Sequence, residues 1–371
     1  MSKHLYFYSD ALEWGGQEIL AARIANILAD KYQVHFFFSS EKFKTALNSS
    51  VEKISLPYHS QNPFPIVRDR ISKKHKKTEQ IFRDYGAGSD NFKKLIICPG
   101  NIERCIPAIT AATKLKLQII SYYPMAFTQK ESKATLGSLR DRLALRIYPK
   151  ITKWIVNTPY QEQLLRRFID IDTEVFQLPN PLTFKENDVP KKPREIKRIL
   201  NIGRIYFGQK GQEIIPEISK RLPSNSAIQF EVIGHGPDAE ALRNKITQEH
   251  LEKQITTIDW ISPNEIQKKF REQADALLVT SKFESGPMVL FEALQCGVPV
   301  IAANEDYIKA YRLPGWMTFE PGNANDAVKK LNNLPKDWNL EEFESTRKAL
   351  FCGRTSGEFQ QRVLDIFDAL E

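Results

Sequence analysis

Residues 279–301 read VTSKFESGPMVLFEALQCGVPVI. The apolar run at 276–279 predicts a strand, and the polar loop after it leads to Pro287, a residue suited to the first turn of a helix. Gly297 is suited to the end of that helix, before a second apolar run at 298–302. The stretch therefore predicts a strand, a loop, a helix and a strand in succession, as in a doubly wound α/β fold.

The start of the predicted helix is suited to binding a phosphate. The amides of Met288 and Val289 have no partner within the helix and carry the positive end of its dipole. Glu284 precedes the helix and Glu292 lies in its second turn, so both carboxylates can border the phosphate pocket. Carboxylates accept hydrogen bonds from hydroxyl groups. The predicted ligand is therefore a phosphate with diols on both sides, which describes a nucleotide-sugar.

Glu284 and Glu292, with seven residues between them, resemble the paired-glutamate signature of the family 4 retaining glycosyltransferases. Ser-Gly-Pro-Met after the first and Ala-Leu-Gln-Cys-Gly-Val-Pro-Val after the second complete the resemblance. It implies the GT-B fold, an α/β architecture of two doubly wound Rossmann-like domains facing a cleft. It also implies that Glu284 holds the donor sugar hydroxyls, that Glu292 holds the ribose diol, and that Gly286 and Pro287 line the donor site.

A second stretch resembles the donor-phosphate motif of the same family. Gly203 and Arg204 follow a strand predicted at 198–202, and five residues separate Arg204 from Lys210. Two cations facing a diphosphate stabilise its bound charge and the charge that grows as the sugar leaves. The resemblance implies catalytic roles for Arg204, Lys210 and Glu284, and a donor contact for Gly203.

Two glycine turns complete the predicted donor site. Gly234 and Gly236 follow a strand at 230–233, where glycines would let the backbone lie beside the nucleotide. Gly15 and Gly16 follow a strand at 5–9 and precede a helical pattern. By the resemblance they would face the donor diphosphate and help to admit the acceptor.

The sequence departs from the family at the end of the strand predicted at 118–121. Many relatives carry a histidine there, close to the reacting sugar, whereas this chain has Tyr122 and Tyr123. A tyrosine hydroxyl or a backbone carbonyl could orient the sugar instead, and aromatic packing is the other interpretation.

We expect neither a metal nor a cofactor beyond the nucleotide-sugar substrate. The Asp-Ile-Asp at 170–172 resembles the metal-binding signature of the other large glycosyltransferase fold, but it lies far in sequence from every donor motif and is interpreted as a turn. The four cysteines show no close paired spacing, so they indicate neither a zinc cluster nor a disulfide framework.

Charge divides the chain unevenly. Residues 1–180 hold 27 Lys and Arg against 17 Asp and Glu, while the whole chain has a net charge of +8. This asymmetry indicates an acidic partner for the N-terminal half, either a phosphorylated acceptor, an anionic membrane face or nucleic acid, unless the cations merely solubilise a surface. No run approaches the ~20 apolar residues of a membrane span. We therefore expect a cytoplasmic protein with peripheral membrane contact through its basic half.

Two segments of that half are less regular in pattern. Residues 58–94, rich in lysine and arginine, are interpreted as a mobile, solvated loop that could guide an anionic acceptor. Residues 129–150 predict a helix whose stripe includes Leu136, Leu139, Leu143 and Ile147. Such a basic amphipathic helix can lie on a membrane, but we expect the stripe to face the core.

The expected organisation is an acceptor-binding domain at 1–182, a linker at 183–193, a nucleotide-sugar-binding domain at 194–350 and a helix at 351–371 that crosses back to the first domain. The expected activity is retaining transfer of a hexose, with UDP-glucose as the favoured donor, to a glycan or lipid-linked saccharide in bacterial surface polysaccharide synthesis. The alternatives are an epimerase or phosphorylase of the same fold and, ranked low, a nucleic-acid-binding protein.

Overall fold

The computed structural model describes residues 3–60, 64–132, 134–184, 187–193 and 195–370. Within them the chain forms two compact units, one from Met1–Asn180 with Gly357–Glu371 and the other from Pro181–Ser356. Residues 185, 186 and 194, which belong to the predicted linker and the start of the predicted second domain, lie outside the described residues.

The first unit is built on a seven-stranded sheet ordered β3-β2-β1-β4-β5-β6-β7. Its strands are β1 (His4–Ser9), β2 (Gln33–Phe38), β3 (Val51–Ser55), β4 (Lys94–Ile97), β5 (Gln118–Tyr122), β6 (Lys153–Val156) and β7 (Glu174–Gln177). Its helices are α1 (Gly16–Leu28), α2 (Phe43–Ala46), α3 (Pro65–Ser72), α4 (Lys74–Asp84), α5 (Ile106–Lys114), α6 (Gly137–Leu145) and α7 (Pro159–Leu165), with a 3₁₀ turn at Tyr148–Lys150.

The second unit is built on a six-stranded sheet ordered β10-β9-β8-β11-β12-β13. Its strands are β8 (Arg198–Ile202), β9 (Gln229–Ile233), β10 (Ile255–Ile258), β11 (Ala276–Val279), β12 (Val300–Ala303) and β13 (Thr318–Phe319). Its helices are α8 (Phe207–Lys210), α9 (Ile215–Arg221), α10 (Ala239–Gln248), α11 (Pro263–Glu272), α12 (Met288–Gln295), α13 (Asp306–Lys309), α14 (Ala324–Asp337) and α15 (Leu340–Phe351), with 3₁₀ turns at Gln212–Ile214 and Gly315–Met317.

Neighbouring strands in both sheets run parallel. Helices therefore cover both faces, and side chains on both sides of a strand are buried. In β1, Phe7 packs into one apolar cluster, whereas its neighbours Tyr6 and Tyr8 pack into the cluster on the opposite face. This explains why the strands read as continuous apolar runs in the sequence.

The last helix, α16 (Ser356–Ala369), packs on the first sheet. The ring of Phe367 stacks against Phe7 with centroids 6.0 Å apart. Asp368 accepts hydrogen bonds from Lys31 Nζ at 2.5 Å and from the Tyr32 hydroxyl at 2.7 Å. The helix thus completes the hydrophobic core of the first unit.

The segment predicted as a linker lies along helix α12 in the second unit. The amide of Asp188 donates to the carbonyl of Gln295 at 2.6 Å, and the amide of Lys191 donates to the carbonyl of Gly297 at 2.8 Å. A Cβ placed on Gly297 would lie 2.3 Å from the carbonyl oxygen of Val189, so a glycine is needed where this segment passes the helix end.

The interpretation of residues 58–94 as a loop was wrong, since they contain α3 and α4. Lysine, arginine, glutamine and glutamate are good helix formers, and α4 buries only Thr78 and Phe82 among its residues. Two buried positions four residues apart were too weak a pattern to be recognised. Strand β3 was not predicted either, because only its first residue, Val51, is fully buried.

The long helix expected at 129–150 is also shorter than predicted, because α6 covers only Gly137–Leu145. The expectation that its stripe faces the core was wrong for two of its members. Leu136 is 59% exposed and Leu139 is 52% exposed, whereas Leu143 and Ile147 are partly buried against the core. Among the described residues, no helix is both long enough and apolar enough to cross a bilayer.

Candidate functional site

The second sheet has a topological switch point between β8 and β11. The chain leaves β8 toward β9 on one side and reaches β11 on the other, so the loops after these two strands diverge. In open parallel sheets such a position leaves a crevice outside the carboxyl ends of the strands, where ligands bind. The residues predicted to bind the donor phosphate follow these two strands.

The two loops are tied to each other by hydrogen bonds to backbone carbonyls. The Thr280 hydroxyl donates to the carbonyl of Lys210 at 2.7 Å, and the amide of Lys282 donates to the carbonyl of Gln209 at 2.7 Å. Gly211 ends α8 in the left-handed conformation, at φ +67°, and a Cβ there would lie 2.3 Å from the Thr280 carbonyl oxygen. The loops therefore hold a fixed position relative to each other.

Lys210 and Glu284, predicted from separate motifs, form an ion pair across these loops. Glu284 is buried, with 7% of its surface exposed, and Lys210 is half-buried. The lysine stem lies against Gly203, whose added Cβ would be 3.5 Å from Lys210 Cε. Because the pair is partly shielded from water, the ammonium group of Lys210 is held next to the carboxylate of Glu284.

Arg204 provides a second cation on the same loop and is exposed to solvent. Its carbonyl accepts a hydrogen bond from Gln212 Nε2 at 3.0 Å, and the amide of Tyr206 donates to Gln212 Oε1 at 3.3 Å. Gln212 is 1% exposed and so shapes the loop from within. Within the described part of the chain, no carboxylate lies within ion-pair distance of the Arg204 guanidinium.

Helix α12 begins directly after Pro287, beside the loop that carries Glu284. Pro287 occupies the N-cap, one position earlier than the first-turn position predicted for it. The amides of Met288 and Val289 occupy the first two helical positions and have no acceptor within the helix. With Gly286 they form the end of the loop, where the helix dipole favours an anion.

Glu292 lies one turn further along α12. Its carboxylate accepts a hydrogen bond from the Thr183 hydroxyl at 2.8 Å. Burial raises the pKa of Glu292, and the bond from Thr183 opposes that rise without cancelling it. A carboxylate already accepting a bond from a hydroxyl is suited to accept one from a diol.

Gly234 and Gly236 have a structural reason to be glycine. A Cβ on Gly234, at φ +146°, would lie 2.0 Å from the carbonyl oxygen of Gly203, and one on Gly236 would lie 2.1 Å from that of Ile205. The backbones of the loops after β8 and β9 therefore pack against each other. These glycines shape the loop that carries Arg204.

In the first unit, Gly15 is the N-cap of α1, and Gly16 is the first residue of that helix. The Glu18 carboxylate accepts a hydrogen bond from the Gly15 amide at 2.9 Å. Glu18 is buried, which raises its pKa. A Cβ on Gly16 would meet nothing within 4 Å. The fold of this unit therefore gives no steric reason for glycine at position 16.

Tyr122 and Tyr123 are both buried, with 2% and 1% of their surfaces exposed. The Tyr148 hydroxyl donates to the Tyr123 hydroxyl at 3.2 Å, and Tyr123 packs against Trp154 with centroids 5.7 Å apart. Burial raises the pKa of both residues far above the usual range of a tyrosine. Aromatic packing is therefore what the structure shows for them.

Residues 183–349 match the family model described as glycosyl transferases group 1. This match covers nearly the whole of the second unit, Pro181–Ser356. The chain is also 28% identical over 187 residues to a lipopolysaccharide 1,6-galactosyltransferase of Salmonella typhimurium, a match that covers 48% of this chain. That match spans about half of the relative, 51% of its length.

Two solved structures show the same fold over the whole chain. The lipopolysaccharide outer core galactosyltransferase WaaB, in its apo form, matches with a TM-score of 0.71 at 17% identity and covers 100% of both chains. HepE of Anabaena, in complex with UDP and glucose, matches with a TM-score of 0.76 at 15% identity, covering 99% of this chain and 100% of that one. The GT-B fold predicted from the paired glutamates is thus confirmed.

Sequence reasoning did not name three further residues of this unit. One of them, Trp260, lies within residues 256–263, which resemble the strand and loop against which the base packs in the family. Trp260 follows β10 at the same edge of the sheet and is 72% exposed. Thr183 contacts Glu292, and Lys282 pairs with Glu213 at 2.5 Å beside the two loops. The segment that contains Trp260 was recognised through its resemblance to the family, whereas Thr183 lies 109 positions from its partner and has no local signal.

Asp170 and Asp172 lie in a turn between α7 and β7, where the amide of Thr173 donates to the carbonyl of Asp170 at 3.0 Å. Among the described residues, no group of three or more histidine, cysteine, aspartate or glutamate side chains is arranged to hold a metal ion.

Gly234 lies against backbone atoms and Gly16 faces open space, so we expect an added methyl group to affect stability differently at the two positions. We expect Gly234→Ala to lower the unfolding temperature by several degrees, because its Cβ would overlap the Gly203 carbonyl and its φ disfavours alanine. We expect Gly16→Ala to melt as the wild type does, since its Cβ meets open space. Thermal unfolding of both variants measures this difference. Equal melting temperatures for Gly234→Ala and the wild type would contradict the account of the loop.

Proposed function

We propose that this protein is a retaining glycosyltransferase that moves a hexose from a UDP-sugar to a hydroxyl of a glycan or lipid-linked saccharide in bacterial surface polysaccharide synthesis. The observation that carries the proposal is the Lys210–Glu284 ion pair at the switch point, beside the first amides of α12. It places a cation for a diphosphate and an acceptor for sugar hydroxyls side by side. The match of residues 183–349 to the group 1 glycosyl transferase model supports this use of the site.

In this proposal the donor diphosphate binds to Lys210, Arg204 and the amides of Met288 and Val289. Arg204 is exposed and so available to a ligand, while Lys210 is held by Glu284. Glu284 accepts hydrogen bonds from the donor sugar hydroxyls, and Glu292 accepts them from the ribose diol. The exposed ring of Trp260, at the same sheet edge, offers a surface on which the base can pack.

The reaction breaks the bond between the anomeric carbon and the diphosphate oxygen and forms a bond from that carbon to the acceptor oxygen on the same face. The leaving diphosphate takes the proton of the acceptor hydroxyl, so no enzyme carboxylate acts as a covalent nucleophile. Negative charge grows on the diphosphate as the sugar leaves. Arg204, Lys210 and the helix amides stabilise that charge in a fixed arrangement, which lowers the barrier to transfer.

The proposal requires no divalent metal, because two cationic side chains and a helix N-terminus carry out the neutralisation that a metal ion would otherwise provide. The acceptor is assigned to the first unit, where the space beside Gly16 is open to a ligand. UDP-glucose is the favoured donor. The HepE structure in complex with UDP and glucose supports that choice, and the relative that transfers galactose supports a hexose.

The first prediction from this mechanism concerns Arg204. We expect Arg204→Ala to lower the turnover of hexose transfer by about 10²-fold, as does loss of one donor from an oxyanion hole. We expect Arg243→Ala, which removes an exposed arginine of α10, to retain wild-type turnover. Turnover is measured as sugar transferred from UDP-glucose to a saccharide acceptor, and product analysis without acceptor tests for an epimerase. Equal turnover of the two variants would contradict the catalytic role of Arg204.

The second prediction concerns the pH dependence of donor affinity. The raised pKa of Glu292 means that its carboxyl protonates at a higher pH than an ordinary glutamate does. A neutral carboxyl is a weaker acceptor, so we expect the affinity for UDP-glucose to fall about five-fold as the pH is lowered through that pKa.

The matched control for this prediction is Glu292→Gln, which keeps an acceptor oxygen and cannot titrate. We expect its affinity for UDP-glucose to be weaker at high pH and constant across the same pH range. Titration calorimetry at a series of pH values measures both proteins. A wild-type pH dependence that persists unchanged in Glu292→Gln would show that another group is responsible.

A further inference from the structure

The loop after β11 contains a buried carbonyl beyond the end of the sheet. The pairing of β11 with β12 ends at Val279 and Ala302, so the backbone of Ser281 lies past the last ladder contact. Ser281 is buried, with 5% of its surface exposed. A carbonyl shielded from water in this way needs a donor other than a neighbouring strand.

Tyr307 supplies that donor. Its hydroxyl donates to the Ser281 carbonyl at 3.1 Å, and Tyr307 is itself buried. Tyr307 lies on α13, which follows β12 at the same edge of the sheet as the loop after β11. Ile308, the next residue of α13, is also buried, so this short helix is anchored to the unit by two side chains. The hydrogen bond therefore ties the loop to an anchored helix.

The same peptide group is held from its other side. The amide of Lys282 donates to the carbonyl of Gln209 at 2.7 Å, and this amide belongs to the peptide bond that carries the Ser281 carbonyl. A trans peptide is planar, and its carbonyl and amide point in opposite directions. The carbonyl bonds to α13 and the amide bonds to the loop after β8. Together the two hydrogen bonds fix the plane of this peptide.

This peptide lies just before Glu284, whose carboxylate forms the ion pair with Lys210. The peptide between Ser281 and Lys282 sets the direction in which the chain continues toward Glu284. Rotation of its plane would change the position of the Glu284 side chain. The hydrogen bond from Tyr307 therefore acts on Glu284 through the backbone.

The hydroxyl of Tyr307 remains protonated under ordinary conditions. Burial raises its pKa well above the usual range of a tyrosine, and the nearby charge of Glu284 raises the pKa further. A protonated phenol can donate to a carbonyl, whereas a phenolate cannot. Phenylalanine would fill the same space as the ring but would leave the Ser281 carbonyl without this donor. The loop thus depends on the hydroxyl as well as on the ring.

We propose that Tyr307 is a positioning residue for the donor sugar: its hydroxyl fixes the peptide at 281–282 and thereby the Glu284 carboxylate that accepts the sugar hydroxyls. This inference rests on the proposed function, in which Glu284 holds the sugar. The diphosphate is bound there by Arg204, Lys210 and the amides of α12, which lie outside this peptide. Tyr307 therefore affects recognition of the sugar more than recognition of the nucleotide.

The first test compares the binding of UDP-glucose with that of UDP by titration calorimetry. We expect Tyr307→Phe to weaken UDP-glucose binding about five-fold, as does the loss of one buried hydrogen bond. We expect the turnover of hexose transfer to fall about ten-fold, because the sugar leaves its reactive geometry. The affinity for UDP is expected to match that of the wild type. Equal weakening of UDP and UDP-glucose binding would indicate a general structural role and would overturn the inference.

Tyr311 provides the matched control. Burial raises its pKa to about 12 and the charge of Glu284 adds to the rise, so this tyrosine also lies near that carboxylate. The contact that the structure shows for Tyr311 is made by its ring, which packs edge-on against Phe291 with centroids 5.7 Å apart. We expect Tyr311→Phe to bind UDP-glucose and to transfer the hexose as the wild type does. Equal losses in Tyr307→Phe and Tyr311→Phe would overturn the inference.

Amide hydrogen exchange without ligand tests the positioning itself. We expect the amide of Lys282 to exchange about ten-fold faster in Tyr307→Phe than in the wild type, because it shares a peptide bond with the released carbonyl. Exchange in Tyr311→Phe is expected to match the wild type. The amides of β1, in the other unit, serve as an internal control for stability. Unchanged exchange at Lys282 in Tyr307→Phe, or faster exchange in β1 as well, would overturn the inference.

The two experiments distinguish failure of this inference from failure of the proposed function. If the wild type does not bind UDP-glucose but Lys282 exchanges faster in Tyr307→Phe alone, the positioning of the loop stands and the proposed donor chemistry fails. If the wild type binds UDP-glucose and Tyr307→Phe matches it in binding, turnover and exchange, the proposed function stands and the inference about Tyr307 fails.

Discussion

The candidate site of the second unit depends on the pairing of β8 with β11 in the sheet. The register pairs Ala276 with Ile199 and Leu277 with Leu200, which brings the carboxyl ends of two strands that are distant in sequence to the same edge. The contacts between Thr280 and Lys210 and between Lys282 and Gln209 then join the loops. Both hydrogen bonds end on backbone carbonyls of the loop after β8, so they hold the two loops together without a ligand. When the loops are already ordered, binding of a ligand requires little further loss of their conformational freedom.

The Lys210–Glu284 pair adds a chemical constraint to this geometry. A lysine and a glutamate that are partly shielded from water attract each other, and removing one of them would leave a buried charge without its partner. Glu284 therefore has two functions in the proposed mechanism: it positions the lysine for the diphosphate and it offers its carboxylate to the sugar. The cation with greater freedom is Arg204, on the exposed part of the loop. Gln212, buried beneath that loop, holds the backbone of Arg204 in place.

The features that the sequence predicted well are those with strong local patterns. Strands with apolar runs, such as β8 and β11, were recognised because both of their faces are buried. Lys210 and Glu284 were named from two separate motifs, and the structure brings them into contact. The helices in residues 58–94 were missed because α4 has only two buried positions to show a period. Strand pairing and loop contacts over long sequence separations, as between Thr183 and Glu292, left no local signal.

The sequence also does not show why a glycine stands at a given position. Gly234 and Gly16 look alike in the sequence, but the first is required by the carbonyl of Gly203 and the second meets open space. The exposed leucines of α6 were predicted to face the core because periodicity identifies a stripe without showing what covers it. In both cases the answer depends on neighbours brought together by the fold, which a local pattern does not contain.

The measurement that tests the donor site most directly is calorimetry of UDP-glucose, GDP-glucose and ADP-glucose with the wild type and with Lys210→Met, in the presence of EDTA. The account predicts that UDP-glucose binds the wild type without metal and that Lys210→Met binds it at least ten-fold more weakly, since a charge-assisted contact to the diphosphate is lost. Binding that requires a divalent ion, or binding that Lys210→Met leaves unchanged, would contradict the account.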